Sequence, residues 1–369
     1  MSALRNLNSL SAALLTTALA TCATIPAHAA SAPSAPESLA AIERDLAALF
    51  ENEAEKLVSQ HLQSTGRLAH VTVSIAIDSV NSKLTADFGP GFRPYPDEVA
   101  AEELLHQLAA KLRYAGDQAG VDVNDVLYLF QGKPLKHYYP EELAVPGQAR
   151  ASARNASALV SSSHGLIRVF PSRSWEYQRP AAFGHVEDMI TPAYGDELQE
   201  LLEQRSGLVV TRARSRAVEP HDESTRPWEQ MSSRYHLKAL LPEHVDIWNS
   251  LPNDTNRDRE VREDIRARPL YANHLGVGGL ISLHTNGNDN PAIRGLEVYY
   301  HEDKPQDREL AAQVLCSMKE LIHAEPGYED FPVRTAPSVG RHGENRIGTM
   351  PSVLVEVAYH SNGEDSAAL

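Results

Sequence analysis

The sequence predicts an α/β domain, with a mostly parallel sheet flanked by helices, preceded by a small α+β domain. Two observations carry that expectation. From residue 156 onward, strand-like and helix-like apolar patterns alternate, which is the mark of a parallel sheet with helical crossovers. Ahead of it lies a shorter run of alternating strands and amphipathic helices, set off by Pro- and Ser-containing stretches. The chain has 369 residues, which at roughly 150 residues per domain leaves room for two.

Residues 1–29 read as a secretory leader. Arg5 supplies a basic start, Leu10 to Ala20 an apolar stretch, and Ala27-His28-Ala29 a cleavage-type site. Arg5 is its one charged side chain, so its removal takes the net charge from −15 to −16. Cys22 follows Leu19-Ala20-Thr21 and faintly resembles a lipoprotein box, but Thr21 is a poor residue before such a cysteine. No other stretch approaches the roughly 18 consecutive apolar residues of a membrane span. The expected location is periplasmic or secreted, with no transmembrane segment. Residues 30–36 form a Ser/Ala/Pro linker.

Residues 37–142 read as the small α+β module. Leu39, Ile42, Leu46, Leu49, Phe50 and Leu57 recur at helical spacing. Val71, Val73, Ile75 and Ile77 alternate as a strand, and Leu84 to Phe88 follow as a second. Val99 to Tyr114 is an amphipathic helix. Val126–Phe130 and Leu135–Tyr139 suggest a closing hairpin around Gln131-Gly132-Lys133. No cluster here suggests chemistry, so the module is read as a binding or positioning unit.

Residues 143–154 are a linker, and 155–369 the larger domain. Strands are expected at 156–163, 208–212, 279–284, 295–300 and 352–358. Helices are expected at 192–204, with Thr191 as cap and Pro192 in the first turn, and at 258–274 and 307–324. Residues 213–258 read as an insertion.

Composition excludes several classes. Acidic side chains outnumber basic ones 49 to 34, which argues against a nucleic-acid binder. Two cysteines rule out a disulfide framework and a Cys-rich zinc module. Cys316, in a helical pattern, is expected to be a small buried hydrophobe. The usual zinc-peptidase, α/β-hydrolase, Walker and dinucleotide motifs are absent.

Three residues stand out by position. His164 follows the apolar strand Ala158 to Ser163, and His284 ends Leu280-Ile281-Ser282-Leu283. Ligands in open α/β sheets bind beyond the carboxyl ends of the strands, so the two imidazoles can converge on one metal. Two ordinary loop histidines are the alternative. Glu356 sits in the middle of the apolar run Pro351 to Tyr359, where a carboxylate needs a partner unless it faces solvent at a sheet edge.

Residues 156–369 resemble the zinc-dependent N-acetylmuramoyl-L-alanine amidases of the amidase type 3 family. Ser163-His164-Gly165 looks like the family's Gly-His-Gly-Gly. Gly184-His185-Val186-Glu187-Asp188 is similar to Gly-x-x-Glu-Lys, and Leu208 to Arg212 to the strand ending in Thr-Arg. Tyr271-Ala272-Asn273 and Ile281 to Asn286 resemble the Ala-Asn and Ser-Ile-His-Ala-Asn stretches. Val355 to Asn362 resembles Val-Glu-x-Gly-Phe-x-Ser-Asn. Ser163 and Leu166 depart from family glycines, which makes that loop less permissive. The stretch from His164 to Glu187 is longer than usual, and Glu176 is an alternative ligand.

The resemblance implies Zn²⁺ held by His164, Glu187 and His284, with Glu356 as general base. It also implies a peptidoglycan substrate cut between N-acetylmuramic acid and L-alanine. A zinc peptidase acting on other peptides and a non-catalytic wall-binding scaffold are the competing readings. The sequence names no substrate-binding residue and no protein activator. The insertion carries Trp228, Tyr235, Leu237, Ile247 and Trp248, too apolar for a solvated linker, and is expected to wall or cover the substrate groove. Its His221, Asp222, Glu223, His236 and His244 are candidates for a further, blocking metal ligand.

Overall fold

The computed structural model of the protein describes residues 36–67, 70–96, 98–143 and 156–369. The leader (1–29), residues 30–35 of the first linker and residues 144–154 of the second lie outside them. The described residues fall into two compact units, one comprising 36–96 and 100–143 and one comprising 98–99 and 156–369. Among them, no helix is long and apolar enough to cross a membrane.

The N-terminal unit is α+β. A helix, Pro36–Ser64, precedes β1 (Val73–Asp78) and β2 (Lys83–Phe88), which pair antiparallel, with Val73 opposite Phe88. The helix Val99–Gln118 then crosses over to β3 (Asp125–Phe130), parallel to β2. Phe88, Phe92 and Phe130 meet at the core, with ring centres 5.2–6.0 Å apart. β1 is an edge strand, and its outward amides are closed off by the first helix. Glu55 Oε1 accepts from Val73 N and Glu51 Oε1 from Ile75 N, each at 3.0 Å. Four helical residues rise roughly 6 Å and two strand residues roughly 6.6 Å, so one turn matches alternate strand amides.

The expected second arm of a hairpin at Leu135–Tyr139 is instead a short helix, Leu135–Tyr138. Gln131 and Gly132 turn the chain with positive φ, but only Lys133 returns to pair with Phe130. Pro134 then opens the helical turn, and Tyr138 Oη donates to Phe130 O at 2.6 Å.

The C-terminal unit matches the expected α/β class. Its six-stranded sheet comprises β4 (Ser157–Ser162), β7 (Val209–Arg212), β8 (Gly279–Asn286), β9 (Glu297–Tyr300), β10 (Ser338–Val339) and β11 (Ser352–Tyr359). The order is β10-β9-β11-β8-β4-β7. β7, β4, β8 and β11 run parallel, and β9 is antiparallel to β11. A two-stranded hairpin, β5 (Ile167–Arg168) with β6 (Trp175–Glu176), stands apart.

Both faces of the sheet are covered, as near-continuous apolar strands require. Val160, Ile281, Leu283 and Val355 pack with Leu198 and Leu202 of the helix Glu187–Ser206 and Val314 and Met318 of the helix Pro305–Ala324. Leu159 and Leu280 join a second cluster with Ala267, Tyr271 and Ala272 of the helix Arg259–Leu275. Cys316 is half-buried, short of the full burial expected of it.

The insertion belongs to that second cluster. Leu237 and Ile247, from its short helices Ser233–Leu240 and Val245–Trp248, are buried there. Arg234 pairs with Glu260, and its amide donates to Asp264 at 3.2 Å. Leu237→Ala should therefore destabilise the domain by about 2–5 kcal/mol. Denaturant unfolding measures this, and a change below about 0.5 kcal/mol, the range of ordinary surface substitutions, would remove the insertion from the core.

The helix expected at 192–204 begins five residues earlier, at Glu187, and places Pro192 inside it. Proline lacks the N–H that would reach Asp188 O. Arg214 Nη1 donates to that carbonyl instead, at 2.8 Å. The proline that signals a helix start is thus tolerated one turn in, because a buried guanidinium replaces the lost donor.

Candidate active site

β4 delivers His164 just beyond its carboxyl end. Ser163 N donates to Leu283 O, extending the pairing one residue past the strand. The chain then turns sharply, with φ +58° at His164 and +105° at Gly165. The left-handed positions are these two, so the serine and leucine that replace family glycines at 163 and 166 impose no such strain. Gly165 is required, since a Cβ there would lie 2.8 Å from Ser232 N.

Glu187 opens its helix, at the end where the backbone favours negative charge. Its neighbour Asp188 holds the surrounding loops. Asp188 Oδ1 accepts from Gly165 N at 2.7 Å and Gln178 N at 3.0 Å, and Oδ2 from Arg179 N at 3.2 Å. His284 lies in β8, and Glu356 is directly opposite it on β11. Glu297 of β9 flanks Glu356 on the other side. Glu356 is 6% exposed in an interior strand, which removes the solvent-facing alternative.

His164, Glu187 and His284 are all buried, and one donor atom from each lies within 4.8 Å of the others. Glu187 Oε1 is 3.4 Å from His164 Nε2 and 3.1 Å from His284 Nδ1. Bonds of roughly 2.0–2.1 Å in a tetrahedral site put ligand atoms roughly 3.4 Å apart. The spacing and the donor set therefore fit a metal ion. Glu356 Oε2 has no hydrogen-bond partner among the described residues, although it is buried. Such an atom is best explained by a role at the site.

Electrostatics agree with this grouping. Burial, helped by the Arg179 guanidinium, lowers the His164 pKa to about 3, which keeps a lone pair free. Burial also disfavours charge on His284, but Glu187 and Glu344 outweigh it and raise its pKa to about 9. Burial works against an ionised Glu187, yet the two imidazoles hold it well below the usual carboxylate range. A cation between these three groups would take over the role of the shared protons. Glu356 goes the other way. Burial raises its pKa to about 8, with His284 opposing and Glu187 and Glu297 adding to the rise.

Glu176 lies on exposed β6, where it accepts from Ser174, and is not among the converging groups. The insertion's histidines are also elsewhere. His221 packs edge-on against Trp175 and Trp228, His236 meets Ala213 O, and His244 lies tilted against His274. Among the described residues the only metal-type cluster is the His164–Glu187–His284 group. Sequence reasoning missed the supporting charges. Arg179 Nε lies 3.8 Å from Glu187 Oε2, and Glu344 Oε1 lies 3.5 Å from His284 Nε2. No local pattern marks either.

The family profile of N-acetylmuramoyl-L-alanine amidase matches residues 178–369, more than half of the chain. The chain belongs to that family. The amidase is thus a peptidoglycan hydrolase that acts on the bond between N-acetylmuramic acid and L-alanine. The match takes in Glu187, His284 and Glu356 and begins after His164, which the geometry groups with them. Among solved structures, the amidase is similar to CwlD of Clostridioides difficile, determined with the GerS lipoprotein. The two are 18% identical over 57% of this chain and 86% of that one, with a TM-score of 0.36. It is also similar to AmiC2 of Nostoc punctiforme, at 19% identity over 57% and 82%, with a TM-score of 0.35. None of the curated proteins matches the amidase.

Proposed function

We propose that the amidase is an exported, zinc-dependent enzyme of the periplasm or cell exterior, in which His164, Glu187 and His284 hold the metal and Glu356 moves the proton. The observation that carries this reading is the spacing of 3.4 and 3.1 Å about Glu187 Oε1, with Glu356 in register beside His284. Zinc bound there supplies Lewis acidity and lowers the pKa of a water to about 7. Glu356 takes the proton of the attacking water as hydroxide adds to the lactyl carbonyl carbon. It then delivers that proton to the amide nitrogen as the C–N bond breaks. The products are the muramic acid carboxylate and a peptide with a free L-alanine amino terminus.

Arg179 places positive charge beside this group while its side chain stays 26% exposed. Asp188 fixes the backbone that carries it. The N-terminal unit is read as a binding or positioning module.

Purified full-length protein should contain zinc and should solubilise isolated sacculi. The released material should carry free L-alanine amino termini, read by muropeptide analysis. Release of peptides cut elsewhere would instead identify a zinc peptidase. Binding of sacculi without release, at full zinc occupancy, would identify a scaffold.

A further inference from the structure

On the side of His284 away from Glu187 lies a carboxylate that the proposed reaction does not use. Glu344, in the short helix Gly343–Ile347, is 3% exposed. Its Oε1 lies 3.5 Å from His284 Nε2 and 2.8 Å from Arg268 Nη1. Arg268 is fully buried, and Asp264, one turn before it on the helix Arg259–Leu275, lies 3.8 Å from its Nη2. His284 therefore presents its two nitrogens to two different carboxylates: Nδ1 to Glu187 at 3.1 Å, and Nε2 to Glu344.

We propose that Glu344 is a positioning residue for the metal centre, which orients His284 so that Nδ1 is the ligand atom and Nε2 carries the proton. This rests on the reading of His164, Glu187 and His284 as metal ligands. An imidazole can ligate through either nitrogen, and a carboxylate at the far N–H selects the tautomer, fixes the ring and makes the ligating nitrogen more basic. The 3.5 Å separation is longer than a normal hydrogen bond. A ring shift of about 0.5 Å closes it. Arg268 keeps the carboxylate in place, since an unpaired buried Glu344 would otherwise be costly.

The competing role is simple neutralisation of Arg268, and the test separates the two. Zinc affinity of the full-length protein is measured by competition with a chromophoric chelator, alongside thermal unfolding. Glu344→Gln keeps the side chain's volume and should weaken zinc binding about 10- to 100-fold, the usual effect of removing such a partner. Arg268→Lys disturbs the same buried pair but leaves a cation beside the carboxylate. It should lower the Tm while keeping zinc affinity within about three-fold of wild type, well short of that 10- to 100-fold loss. Wild-type affinity in Glu344→Gln, or equal weakening in both variants, overturns the proposal. A measurement on the wild type stands even where a variant does not fold. Long-range ¹H–¹⁵N correlation of the zinc-loaded protein should show His284 metallated at Nδ1 and protonated at Nε2. Zinc at Nε2 removes this inference alone, whereas a wild type that takes up no zinc removes the metal reading and this one together.

Discussion

Glu356→Gln should leave the fold and the metal content unchanged and lower turnover on sacculi by about 10²-fold or more, the scale of a lost general acid–base. The side chain sits in β11, between β8 and β9, with His284 and Glu297 as its register neighbours. The amide has the same size and shape, so the strand can keep its packing. What it cannot do is accept the proton of water. In the metal-free protein, burial pushes the carboxyl up to about 8. The same substitution has a signature in the metal-free protein. Glu356 is raised above its ordinary value of 4.5, so its contribution to stability is fully present below that pH. It is lost as the pH rises through about 8. Glu356→Gln should flatten that part of the stability profile, as followed by unfolding in the presence of a chelator. Near-normal turnover in the variant would reject Glu356 as the base.

His164→Ala and His284→Ala should each abolish stoichiometric zinc binding, and with it activity. Each removes one of three buried donors that lie within 4.8 Å of one another. Each also leaves Glu187 with one imidazole instead of two, so the remaining carboxylate is under-compensated in a dry site. Some loss of thermal stability should accompany the loss of metal. Elemental analysis of the purified variants measures the first effect and thermal unfolding the second. Full zinc occupancy in either variant would sink the ligand assignment.

The residues most legible in the sequence are those whose neighbours make them anomalous. His164 follows one apolar strand, His284 lies near the carboxyl end of another and Glu356 interrupts a third, so their apolar neighbours mark all three. Glu187 was less legible, because spacing left Glu176 open. Only folding shows Glu176 on the exposed β6 hairpin and Glu187 inside the cluster. The start of its helix was misplaced for a tertiary reason. Pro192 is a sound local start signal, and the donor that overrides it, Arg214, comes from the insertion across the fold. The Leu135–Tyr138 turn shows the opposite limit, since four residues carry too little periodicity to separate a helix from a strand. Glu344 and Arg268 were invisible. They are far apart in the chain, and nothing in either local pattern marks a charge that will be buried against a histidine.

Arg214 also bears on how the domain can change over evolutionary time. Its guanidinium donates to Ser163 O beside His164, to Asp188 O beside Glu187, and to Glu229 O within the insertion, each at 2.8 Å. Both backbone segments that carry the first two ligands are therefore tied to one side chain of a segment that looks, in sequence, like an optional extra. Excising that segment would leave Asp188 O without a donor, at about 1–3 kcal/mol, while Ser163 O would keep the Thr191 hydroxyl at 3.1 Å. It would also uncover the face of the helix Arg259–Leu275 on which the insertion's two short helices pack. The insertion is thus not a tradable module. Shortening it by descent or by design requires a new donor for the Asp188 carbonyl before the loop can be spared.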